Sequence, residues 1–176
     1  MKKLLVVVDF QNDFIDGALG FEGALSIKNN IIEKIKDYRI KQFDIIFTKD
    51  THHNDYLDSE EGKNLPVIHC VEGSFGHEIE KEVLQYKESN DKTFVKYSFP
   101  SLELGNYLVD KDYDVIELCG LVSNICVLSN AVIAKAALPN AHIIVDQLAT
   151  KSFDESLHKK AMDVLKGLHV EVLNYE

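Results

Sequence analysis

No run of this 176-residue chain approaches membrane-spanning length, and no basic stretch interleaved with aromatics is present. No Gly-x-Gly-x-x-Gly follows the first strand-like segment either, which removes a dinucleotide dehydrogenase from consideration. Internal repeats, low-complexity tracts and linkers are also missing. With a formal charge of -10, the chain lacks the positive surface that a polyanion needs, so neither nucleic acid nor a membrane is expected as a partner. Cysteine is scarce: Cys70, Cys119 and Cys126 cannot all pair with one another, which suits a reducing compartment. Met1-Lys2-Lys3 leads into an apolar segment that stops at Asp9, too short for a signal peptide, and a cytoplasmic location is expected.

What is present is a regular alternation. Apolar, β-branched runs at Leu4 to Val8, Ile45 to Thr48, Thr93 to Lys96, Val115 to Cys119, His142 to Val145 and Val170 to Leu173 read as strands. Helical patterns lie between them near Ile27 to Lys41, His77 to Tyr86, Leu102 to Val109, Asn124 to Lys135 and Asp154 to Leu168. Strands apolar on both faces must be buried on both faces. The expectation is therefore an α/β fold: a single-domain three-layer sandwich over 1–176 with a six-stranded, mainly parallel, Rossmann-like sheet. Right-handed crossovers then collect the carboxyl ends of all strands on one edge, where open sheets bind ligands. Asp9, Asp50, Lys96 and the turn 120–126 fall there. The one long irregular segment, Thr51 to Ser74, is rich in His, Asp, Glu and Gly and is expected to be functional.

The chemistry at that edge is specific in combination. Cys126 lies where strand gives way to helix, and a cysteine in a first helical turn is exposed to free N–H groups and the helix dipole, which favour thiolate. Asp9 is placed to exchange a proton with the thiol, and Lys96 to favour the charged forms of both. The N–H groups of Val122 and Cys126 are candidates for an oxyanion hole. Cys119, in mid-strand, reads as a small core hydrophobe. An aspartyl phosphatase would want a second Asp two residues after Asp9, where Gln11 stands.

Five ordered blocks carry a resemblance. Val6-Val7-Val8-Asp9-Phe10-Gln11-Asn12-Asp13-Phe14, Thr48-Lys49-Asp50-Thr51-His52, Pro66-Val67-Ile68-His69-Cys70-Val71-Glu72-Gly73, Val95-Lys96 and Gly120-Leu121-Val122-Ser123-Asn124-Ile125-Cys126-Val127 resemble the isochorismatase-like cysteine hydrolases, and within them the nicotinamidases. The resemblance runs from residue 4 to about 147, with a weaker echo beyond. It implies a triad of Asp9, Lys96 and Cys126, a non-proline cis peptide before Val122, and Phe14 on a ring-binding wall. It also implies one divalent ion (zinc, iron or manganese) held by Asp50, His52 and His69, with Glu61, Glu60 or water alone completing the set. No organic cofactor is implied. The expected reaction is hydrolysis of a small amide, nicotinamide first, through a thioester; carbamoyl or ureido amides, an isochorismatase-type substrate and a degenerate binding module are the alternatives. A homo-oligomer is expected. Three departures from the family pattern bear on the substrate: Ser123-Asn124 in place of Thr-Asp, Tyr97-Ser98-Phe99-Pro100 after Lys96, and Lys151-Ser152-Phe153 in place of a small-residue stretch.

Overall fold

The computed structural model describes residues 1–175. Six strands, β1 (Lys3–Val8), β2 (Asp44–Asp50), β3 (Lys92–Lys96), β4 (Val115–Leu121), β5 (His142–Lys151) and β6 (Glu171–Leu173), form one sheet in the order β3-β2-β1-β4-β5-β6. Every pairing between them is parallel, where the sequence promised only a mainly parallel sheet. Helices are α1 (Lys28–Ile40), α2 (Glu60–Asn64), α3 (Lys81–Leu84), α4 (Leu102–Val109), α5 (Leu128–Ala137) and α6 (Glu155–Gly167).

Strand alternation builds the three layers. Leu4, Val6 and Val8 of β1 face one way, onto Leu104 and Leu108 of α4, Ala131 and Ala134 of α5, and Met162 and Leu165 of α6. Leu5 and Val7 face the other way, onto Ile31, Ile32 and Ile35 of α1 and Val83 of α3. Because the chain winds outward through β2 and β3 and then outward again on the other side through β4, β5 and β6, the order reverses between β1 and β4. That reversal opens a crevice at the carboxyl ends of these two strands. Gly120 closes it tightly: its φ is +111°, and a Cβ there would lie 2.0 Å from the carbonyl oxygen of Val8. The Leu121–Val122 peptide that follows is cis, as the resemblance implied.

Three elements differ from the sequence reading by more than two residues at one end. The helix expected over His77 to Tyr86 shrinks to α3, because Ile79 instead bridges antiparallel to Gln11 and the N–H of Glu80 donates to Phe10 O at 2.9 Å. The Glu80 carboxylate then caps α3, accepting from the N–H groups of Glu82 and Val83. β5 runs to Lys151 rather than Val145, its register against β4 shifting between Leu118 and Gly120. The helix expected from Asn124 begins as a wider turn, Ser123–Val127, in which Val127 N–H donates to Val122 O at 3.2 Å, and becomes α-helical only at Leu128.

Candidate active site

Four strand ends converge at the crevice. Asp9 follows β1 in a left-handed conformation with φ 44°, a region an aspartate tolerates better than most residues. Lys96 ends β3, Asp50 ends β2, and Cys126 occupies the turn after β4. All four side chains are buried, Asp9 at 0% exposure. The Lys96 ammonium lies 2.7 Å from Asp9 Oδ2, 3.0 Å from Asp50 Oδ1 and 3.5 Å from Cys126 Sγ, and donates to Ser98 O at 3.1 Å. The Asp9–Lys96–Cys126 set inferred from separate strand ends is thus one contact cluster, with Asp50 as a fourth member.

The electrostatics correct one expectation. Burial pushes the Cys126 thiol well above its ordinary pKa, and Asp9 and Asp50 add to this, outweighing the opposing pull of Lys96. Burial thus works against the thiolate that a helix start was expected to favour, because water exclusion costs the anion more than one shared cation returns. Asp9 is raised too, by burial first and by Asp50, against the pull of Lys96. Lys96 holds its proton: burial works against the charge, but Asp9, Cys126 and Asp50 together lift its pKa well above normal. Chelator-treated protein should accordingly alkylate with iodoacetamide more slowly at pH 7 than a free thiol of pKa near ~8.5 does, with a rate still climbing above pH 9. A plateau near pH 7, followed by mass spectrometry of Cys126, would contradict this balance.

Beside the cluster, Asp50 turns its second oxygen to two imidazoles: His52 Nε2 lies 3.0 Å and His69 Nε2 3.3 Å from Asp50 Oδ2. Glu61 Oε1 stands 3.6 Å and 3.8 Å from the same two nitrogens. Residues 52 and 69 meet because the long loop folds back on itself, His52 N–H donating to Cys70 O and Glu72 N–H to His52 O, each at 2.9 Å. Of the two carboxylates the sequence left open, α2 turns Glu61 inward, whereas Glu60 is exposed and pairs with Lys63 at 3.9 Å. Ser59 caps this short helix through Gly62 N–H, and a Cβ on Gly62 would sit 2.1 Å from Tyr56 O, so only glycine permits the packing.

The donor set fits a divalent ion. One coordinating atom from each of the four residues lies within 4.8 Å of all the others. A tetrahedral centre with bonds of ~2.0–2.2 Å places its ligand atoms roughly 3.3–3.6 Å apart, close to the separations here. Two imidazoles and two carboxylates suit zinc, iron or manganese. His69 Nδ1 lies 2.7 Å from Val67 O, which fixes the proton there and leaves Nε2 as the lone-pair donor, a customary support for a metal-bound histidine.

A cavity of about 520 Å³ opens over both clusters. Cys126 and Val122 line it, as do Asp50, Glu61, His69 and Phe14, whose ring meets His69 edge-on with centroids 5.8 Å apart. Phe99 and Phe153, from two of the departing segments, are on its wall. Another cavity, of about 390 Å³, lies at the amino-terminal edge of β2 and β3, where half-buried Arg39 pairs with buried Asp91.

Sequence reasoning missed several supporting groups. Thr48 donates its hydroxyl to Asp9 Oδ1 at 2.6 Å. The signal was available, since strand alternation puts residues 48 and 50 on one face. Tyr56 packs against both imidazoles, with ring centroids 4.5 and 5.0 Å away, and no spacing rule points to it. Asn130 donates to the carbonyl of Cys126 at 2.8 Å and to that of Phe99 at 3.1 Å, and accepts from Ser101 N–H at 2.9 Å, tying the turn of the thiol to the pocket wall. Ser123 keeps a hydrogen-bonding hydroxyl, 2.8 Å from His158 Nδ1, while Asn124 leaves its side-chain oxygen buried and unpartnered.

A doubly wound parallel sheet with ionisable groups gathered at its switch point places the protein among the open-sheet α/β enzymes. Its family follows from comparison: the Isochorismatase domain matches residues 3–176, and the chain belongs to that family of hydrolases, over a longer span than the motifs suggested. The nicotinamidase/pyrazinamidase of Bacillus subtilis superposes with a TM-score of 0.86 at 26% identity, over 98% of this chain and 99% of that one. N-carbamoylsarcosine amidase from Thermoplasma acidophilum gives 0.81 at 25% identity, over 98% and 95%. Pyrazinamidase of Pyrococcus horikoshii, in complex with zinc, gives 0.84 at 21%, over 99% and 100%, and at that identity bears on the fold alone. All three cysteines are free and buried. Among the described residues no helix is long and apolar enough to cross a membrane.

Proposed function

We propose that the protein is a cysteine amidohydrolase that releases ammonia from a small aromatic carboxamide, with nicotinamide as the leading substrate. The observation that carries this reading is the joining of a thiol, a proton carrier and a cation in one contact cluster at the floor of an apolar cavity flanked by a histidine–carboxylate tetrad. Cys126 Sγ attacks the amide carbon while its proton passes to Asp9, and the N–H groups of Val122 and Cys126 receive the developing oxyanion. Asp9 then returns the proton to the departing amine. Water, deprotonated by the same carboxylate, cleaves the thioester and regenerates the thiol. Lys96 holds Asp9 in place throughout and limits the cost of negative charge in the dry site. A divalent ion held by Asp50, His52, Glu61 and His69 would supply Lewis-acid attraction for a ring nitrogen or for water. In support, the Bacillus relative is named a nicotinamidase/pyrazinamidase.

A carbamoyl amino acid is disfavoured by the lining. Asp50 and Glu61 are its carboxylates and His69 its imidazole, and the nearby Lys96 is already paired with Asp9 and Asp50, which leaves no free lysine or arginine on the lining, among the described residues, to receive a substrate carboxylate. Ammonia release from nicotinamide, pyrazinamide, carbamoyl and ureido amides tests the assignment. Turnover of the two aromatic amides is expected, and turnover of a carbamoyl amide alone would sink it. For the metal, protein purified without chelator should carry about one ion per chain by mass spectrometry of the elements. His52→Ala should lose both the ion and nicotinamide turnover, as removal of a first ligand does. Retention of turnover by metal-free His52→Ala protein would dissociate the tetrad from the reaction.

A further inference from the structure

The cavity is larger than the amide assigned to it. At no more than the ~30 Å³ that a water molecule claims in the liquid for each non-hydrogen atom, nicotinamide fills at most about 270 Å³. That is roughly half of the 520 Å³ present. The reacting end lies at Cys126 and Val122, and Phe21, Phe99 and Phe153 are on the same lining. Phe21 and Phe153 meet edge to face with centroids 6.3 Å apart. Phe153 is nevertheless 60% exposed and Phe99 41%, while Phe10 and Phe47 of the core are buried to 1% or less. Aromatic surface left wet at the lip of a cavity gains free energy when an apolar ligand covers it.

We infer that the substrate is an uncharged heteroaryl carboxamide bearing an apolar extension, such as a fused second ring, which lies against Phe21, Phe99 and Phe153. The inference rests on the amidohydrolase reading and sharpens its substrate class. Even at half of the ordinary gain per buried carbon, the four carbons of a fused ring give roughly a tenfold preference over the single ring.

Quinoline-3-carboxamide, which keeps the carboxamide and ring nitrogen of nicotinamide and adds one fused ring, is the probe. With protein purified in its metal-loaded form, kcat/KM for ammonia release from the bicyclic amide should exceed that for nicotinamide at least about tenfold. The ratio of the two should fall in Phe153→Ala and Phe21→Ala. A second measurement, protection of Cys126 from iodoacetamide by each amide, reads binding without turnover. Release from nicotinamide with no advantage for the bicyclic amide, or a ratio that neither substitution moves, overturns the extended pocket and leaves the reaction standing. No release from either amide, with the bicyclic one protecting at tenfold lower concentration, overturns the reaction and supports the pocket. No release and equal protection overturns both.

Discussion

Cys126→Ala is expected to lower ammonia release by at least about 10⁴-fold, the scale on which enzymes lose rate when a covalent nucleophile is removed. Its Sγ is the thiol at the cavity floor and the one in contact with Lys96, whereas Cys119 is wholly buried among core side chains with its S–H toward Val6 O. Cys119→Ala should therefore keep most of the activity and pay only in stability, by a small-cavity cost of about 1 kcal/mol. Circular dichroism and thermal melting separate loss of fold from loss of chemistry in both variants. Turnover by Cys126→Ala protein near the unsubstituted rate would remove the nucleophile assignment and the thioester with it.

Asp9→Asn should cut kcat/KM by ~10²–10⁴-fold, the range for a lost general acid–base group. The amide is nearly isosteric and can still accept from Thr48, but it can neither take the thiol proton nor balance Lys96. The structure adds a readout in the opposite direction. Asp9 is one of the groups that hold the Cys126 thiol above its ordinary pKa. Removing that charge leaves Lys96 a larger share of the thiolate, so alkylation of Cys126 at neutral pH should speed up while turnover falls. Unchanged near-ultraviolet circular dichroism and melting temperature separate this from a lesion that merely loosens the site and uncovers the thiol. If alkylation and turnover decline together, Asp9 is scaffolding rather than proton carrier.

Asp50 links the tetrad to the triad, one of its oxygens serving Lys96 and the other the two imidazoles. That link was invisible in the chain, where Asp50 counts only as one member of an Asp-x-His pair. It ties the buried cation to the tetrad through a single side chain. The Phe153 wall has a similar origin: residue 153 reaches the cavity because β5 continues to Lys151 along the end of β4, six residues past the expected stop at Val145.

By itself the sequence determined the alternation of strands and helices, and with it the layered α/β class, because strand and helix periods of apolar residues are local properties that burial on both faces enforces. It also located Asp9, Lys96 and Cys126 at strand ends, where chemistry-bearing residues in such sheets belong. Only the tertiary structure decided the rest. The strand order depends on which crossovers turn which way, so the sequence could not say that β1 and β4 would be neighbours, or that their reversal would form the crevice. Choice between Glu60 and Glu61 depended on which face α2 presents to the imidazoles, set by the close packing of Gly62 on Tyr56. The upward push on the Cys126 thiol followed from burial, a collective property of everything packed around it: a helix start alone favours thiolate, and exclusion of water with two carboxylates nearby works against it.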